Sequence, residues 1–224
     1  MQFLYGDREL LLTVGDIFSA SAEVIVSPAQ PDLNNTKALA AEFVVRGGAS
    51  VQQECEQFIR HHGELENGMV AMTSAGEIPY EAILHAVVPC FGDGDEVMSV
   101  TRAVSNSLKL CSMHAWQTIA FPDFYETTKE MPVEMVAQGF FHAITSFWDA
   151  RLDEPPFTII LCLSEANFRP FFDAFRQASM MPDEDEPLLV ENTAESAEVI
   201  AGSVTLDENE ISALQNDEVS DWFK

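Results

Sequence analysis

The stretch from Glu23 to Gly48 constrains this chain more than any other. Val24-Ile25-Val26 is a β-branched run, apolar toward both faces, which suits a central strand covered by helices on either side. The run stops at Ser27-Pro28, and a polar loop follows. Apolar residues at helical spacing (Leu39, Phe43 and Val44) then predict a helix from Thr36 to Arg46, ended by Gly47-Gly48. A strand, a loop and a helix start make up the unit of an open α/β sheet. Ligands bind where such strands end, because free backbone N–H groups and the positive helix end face the crevice there.

The rest of the chain repeats the alternation. Strands are predicted at residues 2–5 and 9–14, joined by a turn at Gly6-Asp7, with Gly15-Asp16-Ile17 breaking the second. A helix from Ser50 to His61 stops at Gly63, and strands follow at 69–73 and 82–88. A long helix spans 96–114, with Val97, Val100, Val104, Leu108 and Cys111 on one stripe. Strand 118–121, helix 132–148 (Pro132 near its first turn), strand 157–163 and helix 166–179 complete an α/β layer sandwich over residues 1–180. From residue 181 the character changes. Thirteen acidic residues face the single Lys224, beginning with a proline-bounded PDEDEP run. Residues 181–224 therefore read as an acidic C-terminal extension, partly disordered or carrying a short helix at 206–215 behind the Thr205/Glu208 capping box. Its closing Trp222-Phe223 either folds back onto the body or docks on a protein partner.

A formal net charge of −26 repels phosphate backbones and anionic lipid, so neither nucleic acid nor membrane is an expected partner. Cys55, Cys90, Cys111 and Cys162 sit in apolar surroundings without CxxC spacing. They read as reduced core thiols, and no metal site or cofactor is expected. The start lacks a basic region followed by an apolar one, and no apolar run approaches a membrane span, so a cytoplasmic protein is expected. There is no Walker loop, GxGxxG, GxSxG or HExxH. His85, inside an apolar strand, reads as a core histidine, and His61-His62 as partners of a helix dipole.

The order of pieces resembles the macrodomain family, the ADP-ribose-binding α/β fold, over roughly residues 9–178. The resemblance rests on LLLTVGDIFSASAEVIVSPAQ, on ILHAVVP (83–89), on NSLKLC (106–111) and on TIAFPDF (118–124). It implies a three-layer α/β/α sandwich with a mixed central sheet. It also implies that Asp16, beside Ile17, accepts a hydrogen bond from an adenine amino group, and that Phe168 covers the adenine. Read without the family, Asp16 caps a local turn and Phe168 faces the core. The family's Asn-Ala-Ala-Asn aligns on Ser27, Pro28, Ala29 and Gln30. Its glycine run aligns on Asn35, Thr36, Lys37 and Ala38, and its second phosphate loop on Tyr125 to Glu130.

Both phosphate loops depart from the pattern. Side chains replace every glycine of the first, and Glu126 and Glu130 enter the second, where a carboxylate beside a diphosphate is unfavourable. Lys37 offers a point charge, or is simply solvated. The Asp that positions water in hydrolytic members aligns on Ala40, which removes the general base, and Glu42 lies on another face of the helix.

The reading is a non-hydrolytic binding module for ADP-ribose or a related adenine nucleotide. Its candidate ligand-binding residues are Asp16, Ile17, Ser27, Gln30, Asn35, Thr36, Lys37, Ala38, Tyr125, Thr127, Thr128 and Phe168. The alternative is a macrodomain fold that no longer binds nucleotide and acts through its surface or acidic tail on a protein partner. Filling of the crevice by Phe43, Phe124 or Tyr125 would favour that alternative.

Overall fold

Every central strand carries apolar residues toward both faces, and the molecule covers both. The computed structural model describes residues 2–5, 8–36, 38–128, 131–150 and 157–177. Among these, β1 (Gln2–Tyr5), β2 (Arg8–Val14), β3 (Val24–Ala29), β4 (Val70–Ser74), β5 (Ala82–Val87), β6 (Thr118–Pro122) and β7 (Thr158–Leu163) form one sheet in the order β1-β2-β7-β6-β3-β5-β4. The five central strands run parallel, and the outer β1 and β4 run antiparallel to their neighbours. The sheet is mixed, as expected. The helices are α1 (Ala38–Gly47), α2 (Ala49–His62), α3 (Glu96–Met113), α4 (Tyr125–Thr128), α5 (Val133–Asp149) and α6 (Glu165–Gln177).

Side-chain alternation sorts the core into two layers. Ile25, Ile83, Ala120 and Cys162 point toward Phe43 of α1 and Val51 of α2. On the other face Phe121 meets Phe140 of α5 edge-on at 5.6 Å between ring centroids, and Phe140 meets Phe171 of α6 at 5.8 Å. Each ring so buried contributes on the order of 2 kcal/mol. Together the layers make the three-layer α/β/α sandwich.

The structure differs from the sequence reading in three places. β3 does not stop at Ser27-Pro28 but runs to Ala29. Its pairing with β6 is confined to Val24 and Ile25, while its pairing with β5 continues to Ala29, so Pro28 stands where the strand has a neighbour on one side. Cys90 is not in the core: it lies half-buried in the loop after β5, whereas Cys55, Cys111 and Cys162 are buried. The short α4 was not anticipated, because four residues are too few for a periodic signal. The Gly6-Asp7 turn, Lys37, Lys129, Glu130 and all of 181–224 with its capping box and Trp222-Phe223 lie outside the described residues.

The C-terminal end of α1 is fixed by a backbone junction. The Glu77 N–H donates to the Gly47 carbonyl at 3.0 Å. A Cβ on Gly76, which has φ +60°, would lie 1.9 Å from that same oxygen. Only glycine fits there.

Candidate functional site

The parallel strands deliver their C-terminal ends to one edge of the sheet, and the loops that follow build the site there. A cleft of ≈ 410 Å³ opens at this edge. Gln30, Asp32, Asn34, Thr36, Ala38 and Ala40 form one wall, from the β3–α1 loop and the start of α1. Thr127 of α4 and Glu64, just after α2, close it. The aromatic rings that could have filled the crevice are placed elsewhere. Phe43 is fully buried 4.7 Å from Phe18, Phe124 is fully buried 5.0 Å from Phe140, and Tyr125 is exposed.

The β3–α1 loop is held by its own bonds. The Leu33 N–H donates to the Gln30 carbonyl at 2.9 Å, and the Asn34 N–H to Asp32 Oδ1 at 3.0 Å. The Leu65 N–H donates to the Pro31 carbonyl at 2.9 Å, which ties the loop to the segment carrying Glu64. Leu33 and Ala38 both have φ +49°, a region that costs a side-chain-bearing residue about 1 kcal/mol or more. Ala38 is where the resemblance places the last glycine of the family's run. The backbone keeps a glycine-like conformation there although the residue is alanine.

Asn35 turns inward from this loop. It is 4% exposed between exposed Asn34 and Thr36. Its Nδ2 donates toward Gln52 Oε1 at 3.3 Å and Cys55 Sγ at 3.4 Å. Cys55 Sγ lies 3.6 Å from His85 Nε2, which is 2.9 Å from Thr73 Oγ1. The Thr73 hydroxyl also has the Ser74 carbonyl as acceptor at 2.9 Å, so hydrogen-bond balance assigns the imidazole proton to Nε2 and leaves Nδ1 as an acceptor. Burial holds His85 neutral, pushing its pKa down to about 4, and raises that of the Cys55 thiol to about 11. A neutral thiol beside a neutral imidazole is not an activated nucleophile. Ser27, the register partner of His85, is fully buried, and its hydroxyl has no partner among the described residues.

Asp16 stands at the C-terminal end of β2. Its Oδ1 accepts the Phe18 N–H at 3.0 Å and caps a single 3-10 turn, Ile17–Ser19. Its Oδ2 accepts from Arg46 Nη2 at 3.0 Å, and the guanidinium lies 4.2 Å above the Phe18 ring. The turn-capping geometry is therefore realised, and a carboxylate has further lone-pair sites to offer. Ile17 is buried in the core, and its carbonyl accepts from Tyr80 Oη at 3.2 Å. Phe168 is half-buried on α6, stacked at 6.4 Å with Phe172.

The second loop is anchored by Asp123. Its Oδ1 accepts the Tyr125 N–H at 3.1 Å, and its Oδ2 accepts Asn167 Nδ2 at 2.9 Å and the Ser164 N–H at 3.3 Å. One carboxylate thus ties the loop after β6 to the loop after β7. Thr128 is buried with its Oγ1 donating to the Tyr125 carbonyl at 3.2 Å, while Thr127 faces the cleft.

Of the sequence-predicted residues, Gln30, Thr36, Ala38 and Thr127 meet in the cleft wall. Ser27, Asn35 and Thr128 are buried, Asp16 lies just after β2, Phe168 lies on α6, and Tyr125 is exposed. Sequence reasoning expected the loops 27–38 and 123–131 as walls without singling out Asp32 or Asp123 in them, and it did not reach Glu64, the other described carboxylate of the cleft, or Arg46. Arg46 and Asp123 owe their places to partners far away in the chain, Asp16 and Asn167, and Glu64 owes its place to the Leu65–Pro31 bond, so no local pattern marks these three. Glu42 binds Arg46 one turn on and is absent from the cleft wall. Among the described residues no group of His, Cys, Asp or Glu converges as a metal site would, and no helix is long and apolar enough to cross a membrane.

The comparisons with known proteins accord with this fold. An uncharacterised protein of Pyrobaculum aerophilum is 29% identical over 177 residues, covering 79% of this chain and 96% of that protein. A Klebsiella pneumoniae protein named O-acetyl-ADP-ribose deacetylase is 29% identical over 136 residues, 60% of this chain and 78% of its own length. The Oceanobacillus iheyensis macrodomain with ADP superposes with a TM-score of 0.71 at 20% identity, covering 79% of this chain and 95% of that one. A mutant of that macrodomain with ADPR gives 0.70 at 20% identity, with 79% and 97% covered. The macro domain profile matches residues 26–140, from within β3 into α5, which spans the cleft and both loops that wall it. With fold, loop order and profile agreeing over the same residues, the chain belongs to the macro domain family.

Proposed function

We propose that this protein binds ADP-ribose or a related adenine nucleotide in the cleft at the ends of β3 and β6, and that it does so without hydrolysing it. One observation carries the reading: the crevice is open, at ≈ 410 Å³, within the size range of small-molecule sites, and the aromatic rings able to fill it are packed into the core. Asp16 and Ile17 would receive the adenine, with Phe168 alongside. Gln30, Thr36, Ala38 and Thr127 would line the path of the phosphates and distal ribose, with Ser27, Asn35, Thr128 and Tyr125 shaping those walls from behind and at the rim. Lys37 belongs to the same proposal by position in sequence.

Ala40 faces this cleft with a methyl group where a water-positioning carboxylate would stand, which supports binding without turnover. Two observations favour hydrolysis as the second reading. Asp32 and Glu64 bring carboxylates to the same cleft from other positions, and the Klebsiella relative carries a deacetylase name.

Isothermal titration with ADP-ribose, ADP and AMP tests the first reading. Saturable micromolar binding that Asp16→Ala abolishes supports it, provided the variant melts near the wild type. No heat at millimolar ligand sinks it and leaves the protein-interaction reading, in which the fold or its acidic extension meets a partner. Release of acetate from O-acetyl-ADP-ribose, lost in Glu64→Gln or Asp32→Asn, would replace the non-hydrolytic reading.

A further inference from the structure

The β3–α1 loop bends without glycine. Leu33 and Ala38, at φ +49°, bracket it, and strained non-glycine residues persist only where their surroundings over-determine them. Two side chains of the loop reach the interior. Leu33 is fully buried, and Asn35 is 4% exposed with its amide on α2. The Asn35 contact continues inward from Cys55 Sγ to His85 Nε2 at 3.6 Å, and from His85 to Thr73 Oγ1 at 2.9 Å on β4. A chain of polar contacts thus runs from the cleft wall through α2 and β5 to β4. Asn34 and Thr36, on either side of Asn35, are exposed in the cleft.

We infer that Asn35 is a positioning residue, a peg whose amide on Gln52 and Cys55 holds the glycine-free loop in the shape the ligand meets. The inference rests on the proposed binding of ADP-ribose. It assigns Asn35 and Cys55 to loop geometry and not to ligand contact, since both side chains are turned into the interior. The same peg accounts for asparagine where glycine would bend more freely. An inward amide supplies from the core the definition that a glycine run lacks, and a loop held in its bound shape loses less entropy on binding.

The test measures loop order and affinity separately. Amide hydrogen exchange of residues 32–36 and ADP-ribose titration would be followed in the wild type, Asn35→Ala, Cys55→Val and Cys55→Ser. Asn35→Ala is expected to speed exchange in 32–36 while β5 and β6 amides stay protected, and to weaken ADP-ribose roughly tenfold. Cys55→Val, which removes the acceptor and adds one heavy atom, is expected to do the same to a lesser degree. Cys55→Ser, which keeps an acceptor, is expected to behave as the wild type. A merely structural role would instead lower protection across the whole sheet and would not be rescued by serine. If Asn35→Ala fails to fold, the Cys55 pair decides alone. Unchanged exchange at 32–36 in a folded Asn35→Ala, or in Cys55→Val, overturns the inference. A wild type that binds no ADP-ribose ends the nucleotide reading, while the exchange measurements still decide the peg.

Discussion

Two tight bends of the backbone stand at opposite ends of α1 and are solved in opposite ways. At the junction of α1 with the β4–β5 turn, Gly47 and Gly76 meet backbone to backbone. In the β3–α1 loop, which also needs left-handed residues, Leu33 and Ala38 supply them. A left-handed φ costs a side-chain-bearing residue only about 1–2 kcal/mol, which burial of Leu33 and the bonds of Asn35 can offset. A Cβ placed 1.9 Å from a carbonyl oxygen has no such remedy. Close approach demands glycine, whereas unusual torsion only prefers it.

The junction breaks first. Gly76→Ala is expected to cost about 4 kcal/mol in urea unfolding, because the nearest obstacle is backbone and the turn would have to open. A cost under about 1 kcal/mol would show the junction to be looser than the loop.

Acidification probes the polar cluster beneath the loop. Burial pushes His85 from the ordinary 6.5 down to about 4, so the unfolded chain takes up a proton between those values that the folded chain refuses. The contribution is complete above about pH 6.5 and falls as pH drops toward 4, by about 3 kcal/mol in all. His85→Gln should flatten this part of the stability profile relative to the wild type, the carboxylate background being common to both. Equal slopes would place the imidazole in contact with water.

The loop strain can be relieved directly. Ala38→Gly is expected to stabilise the fold by about 1 kcal/mol or less, the gain in φ +49° being partly cancelled by the greater freedom of glycine when unfolded. Destabilisation by the same change would mean that Ala38 is not strained. The smallest effect is expected at Arg46→Ala. Its bridge to Asp16 joins side chains 40% and 42% exposed, so its loss should shift stability by less than about 1 kcal/mol and less still at high salt.

Much of the architecture was legible because it depends on periodicity. The β-branched Val24-Ile25-Val26, the stripe from Val97 to Cys111 and the stop at Gly63 each act within a few residues, and each element appears within a few positions of its expected bounds. The extension of β3 through Pro28 was not legible, since it depends on β6 parting from β3 after Ile25. The cleft divides in the same way. Gln30, Thr36 and Ala38 follow from the strand–loop–helix unit, and Thr127 from the loop aligned after β6. Glu64 enters through the Leu65–Pro31 bond.

The sequence by itself determined the class of fold, the edge of the sheet at which the loops gather, and the absence of glycine from 30–36 and 125–128, the loop segments on either side of the cleft. These are properties of residue type and local order. Only the tertiary structure decided that the crevice stays open, that Asn35 points inward to Cys55, and that Asp16 holds Arg46. Those outcomes turn on distances of a few ångströms between segments tens of residues apart, which no local pattern encodes.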